Sequence, residues 1–271
     1  MGVMRIQTLP ISMRTCSSIV LQRVLPAGLF IGLLAGCAAP IGADRVTVRQ
    51  AYAQVGTNAL LRQMIVIGHS QGGLLTKLTA TSTGDRMWRA FSDKPIEEFP
   101  IAEAQRAQLR HLLFLEPLPF VRRVIFISTP HRGSYLASSF ARRLAAKLMS
   151  LPSATVEVTR NSTSMFKGTS VGRLLEGRLP TSLDGMSPKN PVLLAVADIP
   201  VAPTIQAHSI IPVKGDGDLS RGRDGVVAYT SAHVSYVESE FVVRSGHSCL
   251  DQPSTIQEVR RILHKHLQEL K

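Results

Sequence analysis

The sequence predicts an α/β fold in which a mostly parallel sheet is flanked by helices. Runs of apolar, largely β-branched residues predict about four strands, at 64–67, 121–128, 208–213 and 239–243. Segments with apolar residues at helical spacing lie between and after these runs, at 101–115 and from Pro253 to the C-terminus. Strands that alternate with helical segments are typical of a parallel sheet.

The first predicted strand ends in a Gly-x-Ser-x-Gly turn, with the sequence GHSQG at 68–72. Such a turn brings strand and helix backbones close together, and Gly68 and Gly72 leave room for that approach. Apolar residues at helical spacing follow the turn: Leu74, Leu75 and Leu78. The turn therefore presents Ser70 as a candidate nucleophile. The alternative is a glycine-rich turn that carries a serine by chance.

A serine nucleophile needs a base, and the base works best when a carboxylate orients it. In doubly wound folds these groups follow later strands, in the chain order serine, acid, histidine. His247 is the only histidine between the predicted last strand and the last helix. Asp224 follows the third strand and is the favoured acid, while Asp216 and Asp218 compete with it.

The competing aspartates lie in a Gly-Asp-Gly-Asp run at 215–218. Their oxygen atoms could bind calcium, but the run lacks a recognisable calcium-loop pattern, so a solvated turn is the favoured alternative. The three cysteines share no metal-ligand spacing. We therefore expect no metal and no cofactor.

The N-terminus has the pattern of an export signal over residues 1–36. Arg14 and Arg23 precede an apolar run at 24–35 that is too short for a comfortable bilayer span. The run ends in Leu-Ala-Gly-Cys, which resembles the bacterial lipobox, and the resemblance implies that Cys37 is lipidated with fatty acids such as palmitate. We expect a lipid-anchored protein on the periplasmic or surface side of the bacterial cell envelope. An uncleaved membrane helix and a plain secretory signal are the alternatives, and Met13 is a plausible start.

The chain has a net charge of +12. Without the three arginines of residues 1–36, 28 basic and 19 acidic side chains remain. This surplus favours contact with anionic surfaces. No helix-turn-helix, zinc-finger spacing or aromatic-interleaved basic stripe is present, so we expect a membrane partner and no nucleic acid. A basic surface that only aids solubility is the alternative.

Four motifs, at 68–72, 128–134, 224–227 and 246–247, resemble those of the α/β-hydrolase superfamily. They read GHSQG, STPHRGS, DGVV and GH. The chain is similar to bacterial lipases and esterases, and within them to membrane-anchored lipoproteins. The resemblance implies that Ser70 attacks a carboxylic ester or lipid, that His247 is the general base and that Asp224 orients it. It also implies an acyl-enzyme intermediate and an oxyanion hole that includes the backbone N–H of Gln71.

The resemblance covers 63–271, which we interpret as a hydrolase domain with an irregular lid-like insertion at about 135–200. Residues 37–62 would be a tether. The family places about four strands and two helices before the turn, including a loop with a second oxyanion donor, and this lead-in is too short to hold them.

Two expectations follow from the short lead-in. The strand at 64–67 would be an exposed sheet edge, and loss of one oxyanion donor would slow the reaction about 100- to 1000-fold. The alternative function is therefore a catalytically impaired or non-enzymatic envelope lipoprotein derived from a hydrolase by internal deletion.

Overall fold

The protein is described by a computed structural model that covers residues 31–35, 62–134 and 186–270. The strands are β1 (Ile31–Ala35), β2 (Met64–His69), β3 (Val121–Ile127), β4 (Gln206–Pro212) and β5 (Ser239–Val243). The α-helices are α1 (Gln71–Ala80), α2 (Arg86–Arg89), α3 (Glu103–Leu113), α4 (Pro191–Ala197), α5 (Tyr229–Ala232) and α6 (Pro253–Glu269). Short 3-10 helices span Ile96–Glu98 and Leu219–Arg221.

The described strands form one parallel sheet in the order β1-β2-β3-β4-β5. The predicted fold class, a mostly parallel sheet flanked by helices, is therefore confirmed. The four predicted strands correspond to β2 to β5, with ends that differ by no more than two residues. Because all strands run the same way, their carboxyl ends meet at one edge of the sheet, where the candidate site lies.

The central strands β2 and β3 are buried along most of their length because helices cover both faces of the sheet. One face packs Val66, Val124 and Phe126 into a buried cluster that includes a leucine of α1. The opposite face packs Ile65 and Ile127 into a second cluster, to which α6 contributes. The strand β2, which ends in the turn that carries Ser70, thus lies between two hydrophobic layers.

The strand β1 corrects two expectations from the sequence. It pairs with β2 in parallel, from Ile31 opposite Ile65 to Ala35 opposite His69. The sheet therefore has five strands instead of four, and the prediction that β2 is an exposed edge is wrong for the full-length chain. The same residues lie inside the predicted signal peptide, so cleavage before Cys37 would remove β1 from the sheet.

The helix α3 matches the helical pattern predicted at 101–115, and α6 begins at Pro253 as predicted. Pro at the first helical position is favourable because no intrahelical N–H is needed there. Residues 36–61, which hold Cys37 and most of the predicted tether, lie outside the described residues, and so do residues 135–185 of the predicted insertion. Across the described ranges, no helix is both long and apolar enough to cross a membrane.

The last part of the predicted lid-like insertion contains α4. The side chain of Asn190 caps this helix, accepting hydrogen bonds from the backbone N–H groups of Val192 and Leu193 at 2.9 and 3.1 Å. Val196 packs into a buried cluster with Trp88. This end of the insertion is therefore part of the protein core.

Candidate active site

The turn after β2 holds Ser70 in an unusual backbone conformation. Its φ and ψ angles are 56° and −125°, a region that non-glycine residues rarely adopt and that recurs at functional sites. The Ser70 N–H donates to the carbonyl of Ile127 at 2.8 Å, which continues the pairing of β2 with β3. Since α1 begins at Gln71, the serine lies between the end of a central strand and the start of a helix.

Two glycines make this turn possible. A Cβ atom on Gly68 would lie 2.5 Å from the carbonyl oxygen of Gly72, and a Cβ atom on Gly73 would overlap the side chain of Thr129. Contacts this short do not occur between real atoms, so larger residues would push α1 away from β2 and β3. The sequence-based explanation for Gly68 is confirmed, and Gly73 has an equivalent role against β3.

The structure brings Ser70, His247 and Asp224 together although up to 177 residues separate them in the chain. The Ser70 hydroxyl lies 2.9 Å from Nε2 of His247. The Nδ1 atom of His247 lies 2.8 Å from Oδ2 of Asp224. With a hydrogen on Nδ1, the imidazole donates to the carboxylate and its Nε2 accepts from the serine hydroxyl. This is the arrangement that a general base requires.

The carboxylate of Asp224 is fixed on both sides. Its Oδ1 atom accepts hydrogen bonds from the backbone N–H groups of Val226 and Val227, each at 2.7 Å. The backbone N–H of His247 donates to the carbonyl of Asp224 at 3.1 Å. Asp224 is 1% exposed and His247 6% exposed. The acid and the base are thus locked together away from bulk water, with the carboxylate as a hydrogen-bonded buried charge.

The alternative acids have other partners. Asp218 accepts hydrogen bonds from the backbone N–H and the hydroxyl of Ser220, at 2.9 and 2.7 Å. Asp216 lies 3.8 Å from the guanidinium of Arg244. The carboxylates of Asp216 and Asp218 therefore contact residues other than His247, and Asp224 is the aspartate that reaches His247. No group of three or more potential metal ligands occurs within the described residues.

Two residues near the site were not found by sequence reasoning. The Ser128 hydroxyl donates to the carbonyl oxygen of His247 at 3.0 Å, and Nε2 of His69 lies 3.0 Å from the same oxygen. Ser128 also has a positive φ of 53°. Both residues belong to motifs that the sequence singled out, but the motifs do not show where their side chains point.

His131, a histidine of the motif at 128–134, is buried. Its ring packs edge-on against Phe126, with centroids 4.8 Å apart. Among the residues that the structure describes, neither ring nitrogen has a hydrogen-bond partner. Burial holds the pKa of His131 well below its usual value, and the cations Lys77 and Arg132 lower it further. A histidine that stays neutral and contacts no nucleophile is unsuited to the role of base.

Gln71, the predicted oxyanion donor, is the first residue of α1. The start of a helix carries a partial positive charge, and its first N–H groups point away from the helix toward the preceding turn. The backbone N–H of Gln71 is therefore next to the serine and at the positive end of α1. Cys37 and the rest of 36–61, which directly precede β2, lie outside the described residues.

Comparison with known proteins gives matches among solved structures. No protein-family model and no curated protein matches the chain. The chain is similar to a Bacillus licheniformis lipase in its mature form, with 16% identity, a TM-score of 0.34 and coverage of 80% of this chain and 70% of the lipase. It is also similar to lipase 1 from Pelosinus fermentans, with 12% identity, a TM-score of 0.39 and coverage of 74% and 71%. For a Staphylococcus hyicus lipase the identity is 13%, the TM-score 0.37 and the coverage 77% and 69%.

Proposed function

We propose that this protein is a serine hydrolase that cleaves carboxylic esters of the lipase and esterase type. The observation that carries the proposal is the continuous hydrogen-bond chain from Ser70 through His247 to the buried carboxylate of Asp224. A hydroxyl becomes a competent nucleophile when a positioned base accepts its proton. The chain of contacts supplies that base and the group that fixes its tautomer.

In the proposed reaction, Oγ of Ser70 attacks the ester carbonyl while Nε2 of His247 takes the hydroxyl proton. The backbone N–H of Gln71 stabilises the negative oxygen of the tetrahedral intermediate. The imidazolium returns its proton to the departing alcohol, which leaves an ester between the acyl group and Ser70. His247 then takes a proton from water, and the hydroxide attacks the acyl carbonyl. The imidazolium returns this proton to Oγ of Ser70 as the carboxylic acid leaves.

A fluorophosphonate probe tests the nucleophile directly, because it labels only an activated serine. We expect the full-length protein to be labelled and the Ser70→Ala variant to be unlabelled. Equal labelling of the two proteins, or no labelling of either, would contradict the proposal. A melting curve of the Ser70→Ala variant serves as the control for folding.

A second candidate function is an envelope lipoprotein without catalytic activity. The two candidates differ in hydrolysis of a short-chain p-nitrophenyl ester. Hydrolysis that the His247→Ala variant loses supports the esterase. A folded protein that neither hydrolyses the ester nor reacts with the fluorophosphonate probe supports the lipoprotein without catalytic activity. A panel that includes thioesters and acceptor alcohols would separate ester hydrolysis from thioester cleavage and acyl transfer.

We also propose that Cys37 carries the lipid that anchors the protein to the bacterial cell envelope. The support is the Leu-Ala-Gly-Cys sequence at the end of an apolar run. Metabolic labelling with palmitate, followed by mass spectrometry of the N-terminal peptide, tests this proposal. We expect label on the wild type and none on a Cys37→Ala variant. A labelled Cys37→Ala protein, or an unlabelled wild type, would contradict it.

A further inference from the structure

A cavity of about 710 Å³ lies beside the loop that carries Asp224. Three cationic side chains, Lys214, Arg221 and Arg223, line it together with one carboxylate, that of Asp218. Gly217 also lines it, and a Cβ atom added there would meet no other atom within 4 Å. The cavity is therefore open and rich in positive charge.

The three cations have no ion-pair partner in the part of the chain that the structure describes. None of them forms an ion pair within the described residues, in contrast to arginines such as Arg89 and Arg132, which pair with nearby aspartates. Three like charges around one cavity repel one another when no anion lies between them. A bound anion would reduce this repulsion.

The acidic residues of the same loop do not cancel this charge. The Asp218 carboxylate accepts two hydrogen bonds from Ser220, and these bonds lower its pKa, so it stays ionised and engaged within its own turn. Asp216 lies 3.8 Å from Arg244, which brings a further cation of its own. The lining side chains thus carry three positive charges against one negative charge.

We infer that this cavity binds a phosphate group of an organic phosphate ester. Guanidinium groups match the oxygens of a phosphate in charge and geometry, and a lysine adds a compact point charge. A phosphate carries up to two negative charges, which fits the surplus of two positive charges better than a carboxylate does. The cavity volume exceeds that of a bare phosphate and leaves room for its organic substituent.

The cavity adjoins the candidate active site through Lys214. A Cβ atom on Gly225 would lie 2.6 Å from Nζ of Lys214, and one on Gly246 would lie 3.2 Å from its Cε. Gly225 follows Asp224 and Gly246 precedes His247, so the lysine side chain lies against both loops of the site. The inference does not depend on the proposed esterase activity, because binding is measured without turnover.

Calorimetric titration of the full chain with glycerol 3-phosphate and with inorganic phosphate, at constant ionic strength in chloride, tests the inference. We expect saturable binding of glycerol 3-phosphate that weakens at least about tenfold in an Arg221→Gln, Arg223→Gln double variant. An Arg260→Gln variant is the matched control, because Arg260 is an exposed cation of α6 outside the cavity. A Lys214→Gln variant gives the same readout if the double variant does not fold.

Vesicles distinguish a lipid headgroup from a free phosphate ester. With a Cys37→Ala full chain, binding to vesicles that contain phosphatidic acid, a phosphate monoester like glycerol 3-phosphate, identifies the phosphate as a headgroup if the double variant loses that binding. Binding of glycerol 3-phosphate alone identifies a soluble phosphate ester. The inference is overturned if neither probe binds, if all variants bind equally, or if acetate binds as tightly as the phosphates.

Discussion

The Nε2 atom of His69 lies 3.0 Å from the carbonyl oxygen of His247, so the residue before the candidate nucleophile holds the backbone of the candidate base. The hydroxyl of Ser128 donates to the same oxygen, also at 3.0 Å. These contacts join the ends of β2 and β3 to the loop after β5. Because this loop carries His247, side chains at the ends of β2 and β3 help to set the position of the candidate base.

We expect Ser128→Ala and His69→Phe to lower kcat about three- to tenfold each while KM stays unchanged, because each removes one hydrogen bond that positions the base. Steady-state kinetics on a p-nitrophenyl ester measures both constants. Ser82→Ala is the matched control, because the Ser82 hydroxyl contacts Glu116 on the surface. Unchanged kcat in both variants would show that these contacts do not position the base.

Replacing Asp224 and Asp218 one at a time tests which aspartate orients His247. We expect Asp224→Asn to lower kcat by about 10⁴-fold, because an amide cannot hold the tautomer of His247 that accepts the serine proton. Asp218→Asn should change kcat less than twofold, since this carboxylate bonds only to Ser220 in its own turn. The same ester assay measures both variants. Comparable losses in the two variants would argue against Asp224 as the orienting group.

The close packing around Gly68, in the turn before Ser70, leads to a prediction about stability. We expect Gly68→Ala to lower the free energy of unfolding by about 1–3 kcal/mol, because its methyl group would clash with the backbone of Gly72. Urea denaturation followed by circular dichroism measures the change. Gly217→Ala is the control, since its methyl group meets open space. If the two substitutions cost the same, the close approach of α1 and β2 is not the reason for the glycine.

Lys77 on α1 gives a pH-dependent prediction. It is 1% exposed, and its Nζ atom donates to the carbonyl of Ala197 at 2.6 Å and lies 5.1 Å from the centre of the Tyr236 ring. Burial lowers the pKa of Lys77 to about 7; the nearby Asp198 opposes this shift. Between pH 7 and the normal lysine pKa, the unfolded chain binds one more proton than the folded chain at this position.

This group should therefore raise stability as pH rises above 7, by at most about 1.4 kcal/mol per pH unit. Urea denaturation at pH 7.5 and 9 should show this rise in the wild type and a smaller rise in Lys77→Met. Lys94→Met, at an exposed lysine, is the control. Equal pH dependence in wild type and Lys77→Met would mean that the buried amine keeps its normal pKa.

Removal of the predicted signal peptide tests whether β1 stabilises the sheet. Removal of residues 1–36 takes away the strand that covers β2 and leaves backbone N–H and C=O groups of an apolar strand unpaired. We expect a chain that begins at residue 37 to melt about 5 °C or more below the full chain and to aggregate more readily. Both chains carry Cys37→Ala so that lipid does not differ. Equal melting temperatures would show that β1 adds no stability.

The α/β class and the four strands β2 to β5 were predictable because each strand contains a short apolar run, such as those at 64–67 and 124–127, that turn residues follow. The added strand β1 was not, because its apolar run equally suits the hydrophobic part of a signal peptide. The sequence pattern shows only that the segment is apolar. Whether it pairs with β2 depends on backbone hydrogen bonds to residues more than thirty positions away.

The sequence by itself determined the residue types of the candidate site and their order, since Ser70, Asp224 and His247 each follow a predicted strand. Only the tertiary structure decided between Asp224 and its neighbours Asp216 and Asp218. All three aspartates follow β4, and sequence spacing does not fix which of their carboxylates points toward His247. The parallel sheet brings the loops after β2, β4 and β5 to one edge, and contact with His247 then selects the aspartate.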